Sequence, residues 1–195
     1  MNINIGGTKN WKTVPGQIRK QWKILDIAGR PDYSHDLNSE ESLPFDDDSI
    51  SNFYCSHTLE HVRHWLVVPL LKDMLRCLKP SGHIRIVVPN FLVYLDAFIR
   101  RDDKWQKKTY RKLTHRKLYP DTHLGVLMGL FYSYVKSGKR NGHHMTFDWE
   151  TLYWCVKKAG FQDIRKSYYN KGFVQFVGLE FSRHKKTSLY LEAVK

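Results

Sequence analysis

A helix, a stop signal and a strand in immediate succession constrain this chain most. Trp65 to Leu78 carries apolar residues at Leu71, Leu75 and Leu78, with Leu70 and Met74 beside them, which is helical spacing. Lys79-Pro80-Ser81-Gly82 stops that helix, and His83-Ile84-Arg85-Ile86-Val87-Val88 follows as a β-branched strand that Pro89 terminates. Upstream, Met1–Ile5 reads as a short strand running into the Gly6-Gly7 turn, and Thr13–Gln21 becomes helix-compatible after Pro15 and Gly16. Trp22–Ile27 is a second strand containing Asp26, Tyr33–Leu37 a brief extended piece, and Ile50–Cys55 a strand followed by a cap at Ser56. Downstream, Phe147–Ala159 reads as a capped amphipathic helix, Asp163–Tyr169 as a strand and Ser188–Val194 as a last strand. Strands alternating with helices predict an α/β domain whose mostly parallel sheet is covered by helices.

At 195 residues the chain is long enough for one full core, so residues 1–195 are expected to form a single domain. No apolar run approaches the roughly 20 residues of a membrane span. Met1–Gly7 lacks the basic start and long apolar stretch of an export signal, so a cytoplasmic protein is expected. The three cysteines, Cys55, Cys77 and Cys155, are scattered and form no CxxC pair. That excludes a disulfide framework and a four-cysteine zinc site, and fits a reducing compartment.

Charge is unevenly distributed. The formal net charge is +13, yet residues 1–99 carry 11 Lys/Arg against 11 Asp/Glu, while residues 100–143 carry 12 against 3. Residues 91–142 also break the strand–helix rhythm, with helix-like pieces at Leu92–Arg101, Lys104–Lys117 and Thr122–Lys136. This stretch is expected to be a basic helical cap inserted in the domain. Its excess charge favours an anionic partner, with Arg111, Lys112, Arg116 and Lys117 as candidate substrate contacts; a solvated basic helix is the other reading. Its aromatic residues suit core packing, and equally offer stacking surfaces for bases or sugars.

Four stretches together resemble a known family. They are Asn4-Ile5-Gly6-Gly7; Ile24-Leu25-Asp26; Ser42-Leu43-Pro44-Phe45 through Ser56-His57-Thr58-Leu59-Glu60-His61; and Leu75-Arg76-Cys77-Leu78-Lys79-Pro80-Ser81-Gly82 through Pro89. Ala159-Gly160-Phe161 and Ser188–Ala193 add to the likeness. In this order the chain resembles a class I S-adenosylmethionine-dependent methyltransferase of the small type 11-like kind. It departs from that pattern at Thr8, where a second glycine is usual, at Ser51 in place of an aspartate, and at Ser81 in place of a glycine.

The resemblance implies a Rossmann-like methyltransferase fold with an antiparallel last strand, and S-adenosyl-L-methionine as cofactor. Gly6 and Gly7 would let backbone approach the ligand, since glycine tolerates positive φ. Asp26 would accept the ribose hydroxyls, Asp36 the adenine amino group, and Leu37 would pack on the ring. His57 stands at the mouth of the implied site, as a lining residue or a general base. His143 and His144, at the end of the basic stretch, are further catalytic candidates. His57, His61 and His64 fall at i, i+4 and i+7, one face of a helix beside Glu60, but there is no HExxH and no metal is expected. The implied reaction is methyl transfer to an anionic acceptor, such as a sugar-phosphate or glycan intermediate. Two alternatives stay open: an RNA or DNA methyltransferase, which the basic stretch permits, and a non-catalytic nucleoside-binding module, which Thr8 permits.

Overall fold

The computed structural model describes residues 1–7, 14–114, 122–131 and 142–195. Seven strands form one sheet in the order β3-β2-β1-β4-β5-β7-β6. They are β1 (Asn2–Ile5), β2 (Trp22–Asp26), β3 (Tyr33–Ser34), β4 (Ile50–Ser56), β5 (Leu78–Pro89), β6 (Gln162–Ser167) and β7 (Ser188–Val194). All neighbouring pairs from β3 to β5 are parallel, and β7 runs antiparallel to both β5 and β6. The expected Rossmann-like α/β fold with an antiparallel last strand is therefore present.

Period-two alternation along the central strands sorts side chains onto two faces. Phe53 and Cys55 of β4, Ile84, Ile86 and Val88 of β5, and Leu189, Leu191 and Ala193 of β7 join one core. Helices α2 (His64–Cys77) and α6 (Trp149–Ala159) supply Val67, Leu71, Met74, Leu152 and Val156 to the same core. Asp148 caps α6, accepting from the Thr151 N–H at 2.8 Å, and Gly160 ends it in the left-handed region at φ 108°.

The opposite face departs from the expectation of helical cover. Among the described residues it is covered by Val14, the four-residue α1 (Gly16–Arg19) and the irregular stretch 168–187. Trp22, Tyr54 and Phe176 form an aromatic cluster there, with ring centroids 5.9–6.5 Å apart. Beside it lies Arg85, fully buried on β5. Its guanidinium donates to Glu180 Oε1 (2.6 Å), Glu192 Oε1 (2.6 Å), Ser167 Oγ (2.9 Å) and the carbonyls of Tyr168 (2.8 Å) and Lys171 (3.0 Å). A buried guanidinium needs a partner for nearly every N–H. Irregular backbone can offer its carbonyls, whereas a helix has already used its own, so among the described residues a loop rather than a helix lies over Arg85.

Two further elements differ from the sequence reading. The Lys79–Gly82 stop signal ends α2 as expected, but these residues belong to β5, with Ser81 at φ 60° and a register shift opposite Ile50/Asn52. The piece expected at Tyr33–Leu37 contributes only Tyr33–Ser34 as strand.

Past β5 the chain makes its excursion. Helices α3 (Phe91–Ile99), α4 (Asp103–Thr114) and α5 (His123–Phe131) share a small core of Tyr94, Val126 and Leu127. The ends of the excursion meet: the Phe91 N–H donates to the Phe147 carbonyl at 2.9 Å, and Asn90 bridges to Phe147. None of the described helices is long and apolar enough to cross a membrane.

The Arg85 cluster has a measurable consequence. Arg85→Met should cost about 3–5 kcal/mol, because it takes the buried guanidinium from Glu180 and Glu192 and leaves Glu192, among the described cations, only the more distant Arg165 at 3.8 Å. Urea denaturation of wild type and variant measures this; a loss near the ~1 kcal/mol of an exposed pair would refute the role.

Candidate active site

The pocket forms where the sheet's connections part. β1 lies between β2 and β4, so the chain leaves β1 toward one side and β4 toward the other. At that point a cavity of about 450 Å³ opens, lined by Gly6, Asp26, Asp36, Leu37, His57, Thr58, His61, Arg63 and His144, among others. Its size is within the range of cofactor sites.

Gly6 leaves β1 at φ 70°, in the left-handed region, with its N–H donating to the Leu25 carbonyl at 2.8 Å. A Cβ at Gly6 would stand 2.0 Å from Thr58 Oγ1 and 2.4 Å from Thr58 Cγ2. Both the dihedral and the space thus demand glycine. Thr58 is buried, and its hydroxyl bonds to the Ile5 carbonyl at 3.1 Å, which ties the end of β1 to the turn after β4. Gly7 is not among the lining residues; a Cβ there would meet the Asn4 side-chain amide at 2.2 Å.

Asp26 ends β2 on the pocket wall, half-buried, with Oδ1 accepting from the Ala28 N–H at 3.1 Å. Asp36 and Leu37 follow β3. Asp36 Oδ1 accepts from the Asn38 N–H at 2.9 Å. Asn38 in turn donates to the His61 carbonyl at 3.0 Å and accepts from the Arg63 N–H at 2.8 Å. The loop after β3 and the loop after β4 are thereby clamped together. Asn38, Thr58 and Arg63 were not singled out from sequence. Only Arg63, a cation at the end of the histidine-rich block that follows β4, carried a readable signal.

The segment 57–64 does not form the helical face expected from its histidine spacing. His57 adopts φ 52°, Leu59–His61 is a single 3-10 turn, and α2 starts afresh at His64. His64 is exposed and packs edge-on to Trp65. His61 instead meets His143, with ring centroids 4.8 Å apart. His57 is held at both ring nitrogens, Nε2 by Ser188 Oγ at 2.9 Å and Nδ1 by Glu60 Oε1 at 3.4 Å, and its ring stacks on His184.

Glu60 is the buried centre of this cluster, at 1% exposure. Burial raises its carboxyl pKa, but the hydrogen bond from His57 and the charges of His57, His61 and His143 prevail, holding it below the ordinary value. The Glu60 carbonyl accepts from the His144 N–H at 2.8 Å, so the end of the excursion is fastened to the pocket. Burial drives the His143 imidazole pKa down to about 4, against the pull of Glu60. His144 is exposed on the pocket wall. Arg111 and Lys112 fall on the C-terminal half of α4, while Arg116, Lys117 and Thr8 lie outside the described residues.

A family model described as a methyltransferase domain matches residues 9–166. The chain belongs to that methyltransferase family. Solved structures share the fold. An S-adenosylmethionine-dependent methyltransferase from Mesorhizobium loti aligns over 100% of this chain and 90% of its own, at 17% identity and a TM-score of 0.55. One from Thermotoga maritima aligns over 100% and 81%, at 15% identity and 0.54. One from Archaeoglobus fulgidus aligns over 100% and 85%, at 14% and 0.54. A search of curated protein sequences returned no match.

Replacing Gly6 with alanine should lower stability by about 1–3 kcal/mol, through left-handed strain and displacement of Thr58. Thermal or urea unfolding measures it, and a change within about 0.5 kcal/mol, ordinary for a tolerant surface site, would show that the turn has room to spare.

Proposed function

We propose that this chain transfers a methyl group from S-adenosylmethionine to an anionic acceptor of the sugar-phosphate or glycan kind. One observation carries the reading: a single pocket brings together the nucleoside-type residues at the strand ends and, on the loop after β4, a cation and imidazoles. Gly6 and Asp26 stand at the ends of β1 and β2, where backbone approach and a carboxylate are required for a ribose. Asp36 and Leu37 stand after β3, where they fit an adenine. S-adenosylmethionine is the cofactor that this family and fold call for, and it supplies a methyl group activated on a sulfonium.

What the chain itself contributes is position and proton handling. Methyl displacement requires nucleophile, carbon and leaving sulfur in line, so holding the reactants is the main task. Arg63, with its guanidinium 5.7 Å from the Trp65 ring centroid, places a positive charge on the pocket wall that suits a phosphate or carboxylate. The excess of Lys/Arg over Asp/Glu in residues 100–143, Arg111, Lys112, Arg116 and Lys117 among them, also supports an anionic acceptor. His57 is tied at both ring nitrogens, which suits it to positioning. His144, exposed on the wall, is the better candidate to take a proton from an acceptor hydroxyl.

Calorimetric titration with S-adenosylhomocysteine tests the cofactor. Wild type should bind, and Asp26→Ala should bind more weakly by about 1–3 kcal/mol without unfolding, through loss of charge-assisted hydrogen bonds. Absence of binding to wild type at millimolar ligand would refute the reading. Arg63→Gln should leave that affinity intact while lowering turnover of phosphorylated acceptors. A binding constant for generic nucleic acid that falls steeply with salt, by about 0.7–0.9 in log K per log salt for each phosphate contacted, would instead favour a nucleic-acid acceptor.

A further inference from the structure

We propose that Glu60, His61 and His143 form a binding site for one divalent transition-metal ion, zinc foremost, in the wall of the pocket. Glu60 and His61 come from the 3-10 turn after β4, and His143 from the return of the excursion. One ligand atom from each lies within 4.8 Å of the others. Two imidazole nitrogens and one carboxylate oxygen are a ligand set of catalytic zinc sites, which keep a further position open.

An independent observation points to a missing partner. Glu60 is almost wholly buried, and its Oε2 has no hydrogen-bond partner among the described residues. A buried carboxylate oxygen left unpaired is costly, and a metal ion is one group that removes the cost. Glu60 Oε1, by contrast, is already engaged by His57 Nδ1 at 3.4 Å, and His57 is fixed from its other side by Ser188. The carboxylate is thus oriented with one oxygen spare.

The surrounding contacts have the character of a metal site's outer shell. His61 Nδ1 lies 3.2 Å from the Gly142 carbonyl. A carbonyl only accepts, so Nδ1 carries the proton and Nε2 presents its lone pair. Fixing a ligating imidazole through its other nitrogen in this way is the usual arrangement around zinc. The Glu60 carbonyl accepts from the N–H groups of His144 (2.8 Å) and Met145 (3.3 Å), which holds the His143 segment against the turn that carries the other two ligands. The 4.8 Å span exceeds the roughly 3.4 Å between ligand atoms on a tetrahedral zinc with bonds near 2.1 Å, so these side chains draw together on binding.

His61 also lines the pocket. An ion there can take an acceptor hydroxyl into its open position and lower that hydroxyl's pKa, preparing the oxygen for attack. This use rests on the methyl-transfer reading; the site itself does not. It also differs from the i, i+4, i+7 histidine set, since His64 faces away and Glu60 and His143 take part.

The test uses the full chain without an affinity tag, stripped with chelator and dialysed. Added zinc should bind at one per chain and raise the melting temperature, and cobalt should give the visible absorption of a low-coordinate nitrogen/oxygen site. Glu60→Gln and His143→Gln should each weaken binding by 100-fold or more, His57→Gln by about tenfold through the outer shell, and His64→Gln not at all. Far-UV circular dichroism and urea unfolding of the same samples report the fold of each variant. Should Glu60→Gln fail to fold, the half-buried His143 provides the deciding variant. Absence of the cobalt spectrum and of any zinc-dependent shift in wild type, or binding that survives at wild-type strength in His143→Gln, would overturn the proposal. Loss of S-adenosylhomocysteine binding by wild type would count against the methyl-transfer reading alone.

Discussion

Gly6 and Thr58 meet where the connections after β1 and β4 part. β1 and β4 are neighbours with connections that leave in opposite directions, and the gap between those connections is the pocket. The gap keeps its shape because Thr58 bonds back to the Ile5 carbonyl while Gly6 yields the space a side chain would have filled. Asp26, Leu37, His57 and Arg63 line the cavity at that junction. From it the geometry propagates outward, through Asn38 to the loops after β3 and β4, and through Glu60 to the end of the excursion.

The two faces of the sheet solve burial differently. One is apolar and lies under α2 and α6; the other carries Arg85 and Glu192 between aromatic residues and is sealed by irregular chain. A buried ion cluster adds little net stability compared with an apolar core of the same volume, but it tolerates few alternative arrangements. It demands that Ser167, Tyr168, Lys171 and Glu180 occupy defined places. That fixes the stretch leading into β7, and Ser188 at its start is the partner of His57. Site order and the polar face are therefore linked through one strand.

Much of this was legible from residues alone. β7 matches its expected span of Ser188–Val194, because Leu189, Leu191 and Ala193 alternate along it with period two onto one core face. Gly6 and Asp26 were legible because each sits at a strand end, where local chemistry and fold impose the same demand. The left-handed His57 was not, since nothing in a histidine's neighbours announces positive φ; past it the chain makes a 3-10 turn at Leu59–His61 before α2 starts at His64. The partnership of Glu60 with His143 joins residues far apart in the chain, which no periodicity reports. The loop cover over Arg85 was hidden for a similar reason: the sequence shows a basic residue in an apolar strand, but not the carbonyls that satisfy it.

The excursion after β5 begins and ends within one hydrogen bond, from the Phe91 N–H to the Phe147 carbonyl, and its returning segment is stitched to the Glu60 carbonyl through the His144 N–H. A closed loop of this kind is insulated from its own length. Lengthening it costs only about 0.6 kcal/mol per doubling in closure entropy, while the anchor residues stay put. The segment between those anchors can therefore change in length or composition without moving the residues that hold its two ends, Asn90 and Phe91 on one side and His144 and Phe147 on the other.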